Sequence, residues 1–436
     1  MHLPALDSEL EVASPPYATQ IGGTGHLSFA ENGVPVTITV TLVPGRTTAF
    51  TCIIDRPERT LVQSLYNCPP GRRYSVRGSL EGRRFCCDRC VAEARSWKTA
   101  DSGSQFHVVL SADRFARVVF DDETVLGRRV TRAQFALMTY LGPALDISVD
   151  GWHYHVVPSK HRDSVSAWVL AWGLPVESAL LVAIPNRPAA TEDVIAHTDD
   201  FLRILSLYEG DLMSYHRVEF VLPDDTGAEV WDPTRWVQPP SPGNRMRTGM
   251  QSQRFVHDAV HAYCAMSPVE RALLSTAIGY HLAAKGARIL HVAFVSEAVA
   301  WEMLISARLG TMGRALPPEA RELARRVGAV ANRWCRKYAS WPECNGYKGL
   351  VLGSLRWRHL REGVTQLVDH LGLGTFLDAA GIDPLLLKRF RDSIVHTGDF
   401  PRGYPDFPRN YRLLREMLDV GDLVFRRILC PDLPVE

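Results

Sequence analysis

Residues 267–286 read SPVERALLSTAIGYHLAAKG. Ser267 followed three residues later by Glu270 is a capping box, and Pro268 stands at the first helical position, where a missing N–H costs nothing. The apolar positions behind it recur at helical spacing, and Gly286 closes the run. This stretch marks where the chain changes period, so it decides the fold class.

Upstream the period is two. Val36, Ile38, Val40 and Leu42 alternate with Thr37, Thr39 and Thr41, and Pro44-Gly45 ends the run. That is a half-buried strand built from β-branched residues. Further strands are expected at 48–54, 106–110, 115–120, 153–158 and 177–184. Arg217–Leu222 and Glu229–Trp231 flank PDDTG, a hairpin loop. One helix interrupts them, at 190–208. Residues 1–250 therefore read as β-rich and sandwich-like, with a sub-boundary expected near 100–105 between two subdomains. Residues 238–253, QPPSPGNRMRTGMQSQ, are rich in Pro, Gly and Ser and read as the linker.

Downstream the period is 3.6. A second helix is expected over 287–309. A third follows Pro317-Pro318, with Leu323, Val327, Val330, Trp334 and Tyr338 on one stripe. A fourth carries Leu360, Val364, Leu367 and Leu371. A fifth runs from Asp383-Pro384 to His396 with Gly398 beyond it, and a sixth covers 410–429. Residues 255–436 read as an all-α bundle, so the class is α+β.

The 436 residues are 46% apolar and 22% charged, ordinary values for a globular chain, and the net charge is +1. Bulk binding of polyanions is excluded on that charge. Of the 49 basic residues only six are lysine. No run of 18 apolar residues predicts a membrane span, and MHLPALDSELEVASPPY lacks the features of a signal peptide, so a cytoplasmic location is expected. There is no GxxxxGK[ST] phosphate loop and no GxSxG elbow.

Three groups of residues could carry chemistry. The first is FRDSIVHTG, residues 390–398. An imidazole at His396 can take a proton from a ribose 2′-hydroxyl or give one to the leaving oxygen. The guanidinium of Arg391 can hold the phosphate and its growing negative charge. Arg and His at this spacing recur by chance in so arginine-rich a chain, so surface charges and a capping histidine are the plain alternative. On a helix, residues five apart lie about 140° apart around the axis. Arg391 and His396 thus share no face unless the helix ends between them. Two copies meeting across a two-fold axis would bring both pairs to one cleft.

The second group is Cys68, Cys86, Cys87 and Cys90, with Cys52 upstream. Cys87-x-x-Cys90 can chelate one structural zinc if two further thiolates complete the set. Reduced, buried cysteines are the plain alternative. The third is the arginine-rich stretch 56–98 with Tyr66, Tyr74, Phe85 and Trp97 nearby, which could track an RNA backbone or be a solvated surface. His153 and His155 alternate on a strand and face one side, but no carboxylate stands at matching spacing in the sequence. His257 and His261 are i, i+4 without the glutamate of a zinc-protease motif.

FRDSIVHTG on a late helix resembles the signature of the HEPN superfamily: Arg, a polar residue, apolar positions, then His. FVSEAVAWEMLI, residues 294–305, resembles the early helix of that family, with Glu302 as its acidic residue. A β-rich front half before the bundle resembles the ApeA-like branch found in phage defence. The bundle resemblance covers about 255–430; that of the front half is looser and rests on segments such as SVRGSLEGRRF. Asp392 stands where asparagine is common. The resemblance implies a metal-independent endoribonuclease of an anti-phage or toxin-type system, leaving a 2′,3′-cyclic phosphate. His396 would act as general acid/base, Arg391 as phosphate clamp and Asp392 as orienting group. Lys388 and Arg389 would steer RNA, tRNA included. The resemblance also implies a homodimer through the bundle, a phage-derived trigger protein sensed by the front half, no membrane, and no cofactor for catalysis. The alternative is a non-catalytic HEPN-type module that dimerises or docks a partner.

Overall fold

The computed structural model describes residues 19–29, 32–42, 49–55, 73–100, 103–112, 117–122, 124–138, 140, 142–158, 177–231, 252–309, 360–379, 383, 385–404 and 407–432, with 322, 325–327, 329–330 and 333. The chain is α+β, with strands in front and helices behind. It divides into two compact units. One holds residues 1–243 and 250–260; the other holds 244–249 and 261–436. The expected linker at 238–253 lies outside the described residues except for its last two, which begin helix α2 (Ser252–Ala265).

In the β-rich unit, strands β1 (Thr19–Phe29), β2 (Asn32–Leu42), β3 (Ala49–Asp55), β4 (Arg73–Leu80), β5 (Arg83–Ala100) and β6 (Gly103–Ala112) run in the order β5-β4-β1-β2-β3-β6. β6 pairs with both β3 and β5, so the sheet closes into a barrel rather than a sandwich. Alternation fills its interior: Leu27, Val36, Ile38, Val40, Phe50, Val76, Phe106, Val108 and Leu110 are buried. The expected break near 100–105 is the tip of the β5–β6 hairpin, where Ala100 pairs with Gly103. The described residues on either side of it pair with one another in a single antiparallel ladder, which speaks against a subdomain boundary there.

β1 reads TQIGGTGHLSF and carries little strand propensity. Its glycines are set by close approach. Gly25 pairs with Gly78 of β4, and a Cβ on Gly25 would stand 2.2 Å from the Arg77 carbonyl oxygen.

The same sheet continues past β5 through β7 (Val118–Phe120), β15 (Gly227–Trp231), β14 (Ser214–Val221), β9 (Arg132–Met138), β12 (Glu177–Pro185), β11 (Trp152–Pro158) and β10 (Leu145–Val149), which is its edge. β8 (Arg129–Val130) and β13 (Ala189–Ala190) form a separate short pair. Helix α1 (Thr191–Glu209) ends on Gly210 at φ +76°, whose N–H donates to the Ser206 carbonyl. It covers one face of this extension: Phe201 stacks on Tyr154 with ring centroids 4.3 Å apart, and His197 stacks on Trp152 at 4.6 Å.

In the helical unit, α3 (Pro268–Gly286) starts at the capping box read from the sequence. Ser267 Oγ accepts from the Glu270 N–H, and Glu270 accepts from the Ser267 N–H. Then come α4 (Leu290–Leu309), α5 (Leu360–His370), α6 (Gly374–Ala379), α7 (Leu385–Thr397) and α8 (Phe407–Leu429). The expected helix after 317–318 lies largely outside the described residues; those described within it, such as 325–327, are helical. α4 is long and apolar enough to cross a membrane by length and composition. It is also the central helix of the bundle, packed against α3, α5, α7 and α8, with Phe294, Ala298, Trp301, Leu304 and Ile305 buried. That burial accounts for its composition.

Candidate functional site

Among the described residues of α7, Leu387 and Phe390 are buried, and Phe390 stacks on Phe294 of α4 with centroids 4.3 Å apart. Phe400 and Tyr404, beyond the helix, close over the same ring. This anchor fixes the helix rotation and leaves Arg391 half-buried beside α4. Its Nη2 lies 3.1 Å from Glu302 Oε1, and its Nη1 donates to Asp392 Oδ1 at 3.0 Å. Lys388, one turn earlier, donates to the other Asp392 oxygen. Two cations thus converge on Asp392. Burial raises its carboxyl pKa, and the bonds from Lys388 and Arg391 outweigh this and hold it below the usual value. Glu302 is shifted the other way: burial raises it, Arg391 opposes, and the nearby Asp392 charge adds to the rise.

α7 ends cleanly. Gly398, at φ +77°, donates its N–H to the Ile394 carbonyl, and Thr397 Oγ1 donates to the Ser393 carbonyl. His396 therefore lies in the last helical turn, exposed, with no hydrogen bond or ion pair among the described residues. The helix does not end between Arg391 and His396. Within one chain the two stay about 140° apart around the axis and roughly 7.5 Å apart along it. Arg389 is exposed and lies over the Tyr404 ring at 5.5 Å, and Arg409 lies over the same ring at 4.8 Å.

A second polar cluster sits inside the bundle, and no local sequence pattern marked it. His281 of α3 bonds through Nδ1 to Glu297 Oε2 of α4 at 2.7 Å and through Nε2 to Asp422 Oδ1 of α8 at 2.9 Å. Lys285 donates to both Asp422 oxygens, and Trp301 Nε1 donates to Glu297 Oε1. His281 and Glu297 have no exposed surface. Burial disfavours the imidazolium, yet the Glu297 charge and the bonds to Asp422 and Glu297 prevail and raise His281 to about 8. Asp422 is likewise held low despite burial, by Lys285 and His281. Gly421 makes room for this cluster: a Cβ there would stand 2.5 Å from Glu297 Oε1 and 2.7 Å from His281 Cε1.

The cysteines divide. A regular strand would send Cys87 and Cys90 to opposite faces. A bulge in β5 puts both Asp88 and Arg89 between the pairings of Cys87 with Val76 and of Cys90 with Tyr74, so both thiols enter the barrel. Their sulfurs are 3.5 Å apart, with Cys90 as donor. Cys52 of β3 is buried in the same core, and burial pushes its thiol up to about 12. Cys86 points to the other side of the strand, toward Asp88, so it does not join Cys87 and Cys90 as the expected zinc set requires. Cys68 lies outside the described residues.

Part of the arginine-rich stretch, 56–72, also lies outside them. In the rest, Arg83 binds Asp121 and Glu229, and Arg77 binds Asp88. Arg77 and Arg84 line a cleft with Phe85, Asp121 and Asp122. Internal pairing thus offsets part of the described positive charge. His257 bonds Asp258, its neighbour on α2. His153 and His155 do face one side of β11, and the adjacent strand brings Asp146 to them.

No family model matches the chain, and no curated protein or solved structure matches it.

Proposed function

We propose that the chain is a metal-independent endoribonuclease of a bacterial anti-phage or toxin-type defence system. It acts in the cytoplasm as a homodimer through its helical unit. Arg391 carries the reading. It is held half-buried at the surface by Glu302 and Asp392, which fixes a guanidinium where it can receive a phosphate, while His396 stands open to solvent on the same helix. The wide angle between them suits a composite site, in which two copies of α7 supply both residue types to one cleft. In the reaction one His396 imidazole removes the ribose 2′-hydroxyl proton, the 2′-oxygen attacks the adjacent phosphorus, and the bond to the 5′-oxygen breaks as that oxygen takes a proton from the imidazolium of the second copy's His396. A 2′,3′-cyclic phosphate remains. Arg391 stabilises the charge on the phosphoryl oxygens. Asp392 orients it, Lys388 and Arg389 steer the RNA backbone, and the β-rich unit senses a trigger such as a phage protein.

A second reading has one observation in its favour. The Arg391 guanidinium already has two carboxylate partners, as an arginine that only staples α7 to α4 would. The helical unit would then dimerise or dock a partner without catalysis. End-group analysis of RNA incubated with the full chain in EDTA separates the two. Cyclic phosphate ends that form despite the chelator support the ribonuclease. Cleavage that requires added Mg²⁺ contradicts the mechanism, and intact RNA with a stable dimer supports the docking module.

A further inference from the structure

We propose that Asp146, His153 and His155 form a binding site for a first-row divalent transition-metal cation, Zn²⁺ in the first instance, with three protein ligands and one position open to solvent. The proposal stands independently of the ribonuclease reading.

The site is built by strand geometry. β10 and β11 form a hairpin whose two-residue turn is Asp150-Gly151, both at positive φ, as a type I′ turn requires. That turn fixes the register: Asp146 stands opposite His155, and Ser148 opposite His153. Period two puts both histidines on the same face of β11, and the pairing puts Asp146 on that face too. The opposite face carries Trp152 and Tyr154 and is covered by α1. The backbone of β10 is held in place as well, since Gln253 donates to the Asp146 carbonyl at 2.6 Å.

The distances suit a cation better than direct bonds. Asp146 Oδ1 is 3.3 Å from His153 Nε2 and 3.6 Å from His155 Nδ1. The second is too long for a hydrogen bond and the first is at the limit. Ligands at about 2.0–2.1 Å from a tetrahedral zinc lie about 3.4 Å from one another. All three ligand atoms fall within 4.8 Å of one another, and this is the only such trio of His, Cys, Asp or Glu among the described residues. The imidazole rings meet edge to face, with centroids 4.1 Å apart.

Outer partners are present. Ser148 Oγ lies 2.5 Å from His153 Nδ1, where it can accept the Nδ1–H and leave the Nε2 lone pair aimed at the trio. The other His155 nitrogen, Nε2, is buried without a hydrogen-bond partner among the described residues, so the ring has no bond there holding it in another orientation. Two imidazoles and one carboxylate favour Zn²⁺, Ni²⁺, Co²⁺ or Fe²⁺ over Mg²⁺ or Ca²⁺, which need more oxygens. The Asp146 side chain is 62% exposed and that of His155 16%, so a cation would be anchored from below and open above, where water or an oxygen of a ligand completes it.

The test uses tag-free full chain, stripped with chelator and titrated with ZnCl₂ and CoCl₂ by calorimetry and optical absorption. The proposal expects one equivalent bound and visible Co²⁺ bands of tetrahedral type, with no near-ultraviolet thiolate charge-transfer band. Asp146→Asn and His155→Ala should each weaken binding by at least ~10-fold, and Ser148→Ala by roughly 10–100-fold. Asp146 is exposed, so Asp146→Asn keeps the test valid if His155→Ala misfolds. Binding unchanged in Asp146→Asn overturns the proposal. A thiolate band, which would put the cation at cysteine, overturns it too, as does the absence of any saturable binding to the wild type.

Discussion

Arg391 Nη2 lies 3.1 Å from Glu302 Oε1, which joins helix α7 to the central helix α4 just where the candidate arginine leaves the core. The pair is partly exposed, at 34% and 21%, so solvent screens it and it adds no more than about 1 kcal/mol to stability. Its effect is on position. Glu302 and Asp392 together restrict a side chain that would otherwise sample many rotamers, and a fixed guanidinium is what phosphate recognition requires.

Glu302→Gln should therefore separate stability from activity. Thermal unfolding should move by no more than ~1 kcal/mol in stability, while RNA cleavage falls about 10-fold, mainly in kcat, as for a residue that positions another. Glu302→Asp should recover part of that loss. A variant that cleaves like the wild type would remove Glu302 from the account.

The buried His281 cluster predicts a pH dependence. His281 is raised from its ordinary 6.5 to about 8 in the folded chain. Its contribution is fully present below pH 6.5 and is lost as pH rises through 8, and it amounts to about 2 kcal/mol. Asp422 acts oppositely: it is held low, so its share is present above the ordinary value of 3.8 and lost as pH falls through its lowered folded value. The melting temperature of the helical unit should thus be higher at pH 6 than at pH 8.5. His281→Ala should flatten that slope and, by leaving two buried carboxylates without it, cost about 3–5 kcal/mol. Melting that rises from pH 6 to 8.5 would contradict the assignment.

Gly421→Ala tests the same cluster sterically. Alanine is the better helix former by roughly 1 kcal/mol, so on propensity the substitution should stabilise α8. The added Cβ would instead meet Glu297 and His281 well inside contact distance. Overpacking of this kind costs about 1–3 kcal/mol. Chemical denaturation should show a net loss of stability, and a gain would mean the cluster yields easily.

The barrel thiols make a chemical prediction. Cys52 and Cys90 are buried, with Cys52 pushed up to about 12 by burial and Cys90 pushed up by its bond to Cys87 and by burial. Thiolates are the reactive form. Maleimide labelling mapped by peptide mass spectrometry should leave both unmodified in native protein and modify them in denaturant. Rapid native labelling of Cys52 would contradict the closed barrel.

Local signals in the sequence located most of the described helices, though not α2 or α6. The capping box at Ser267 and Glu270, and Gly398 behind His396, set real helix ends. The β-branched alternation of Val36 to Leu42 was equally plain. Strands β1 and β5 were not, because one is glycine-rich to let backbones approach and the other is polar and bulged. Barrel closure was also illegible, since it depends on β6 finding both β3 and β5. The two polar clusters were hidden for the same reason. Asp146 reaches the histidines through strand register, and His281 meets Asp422 across 141 residues of chain; neither is a spacing that a motif can show.

The most direct test of the central claim is RNA cleavage by the purified chain, in EDTA and with any trigger supplied, for wild type, Arg391→Ala and His396→Ala. His396 is exposed and Arg391 is partly so, and substitutions at such sites usually cost within about 0.5–1 kcal/mol, so both variants should melt close to wild type. The account predicts cleavage by the wild type and loss of at least ~10²-fold in each variant, the lower end of what a general acid/base supplies. Folded variants that cleave as fast as the wild type would contradict it.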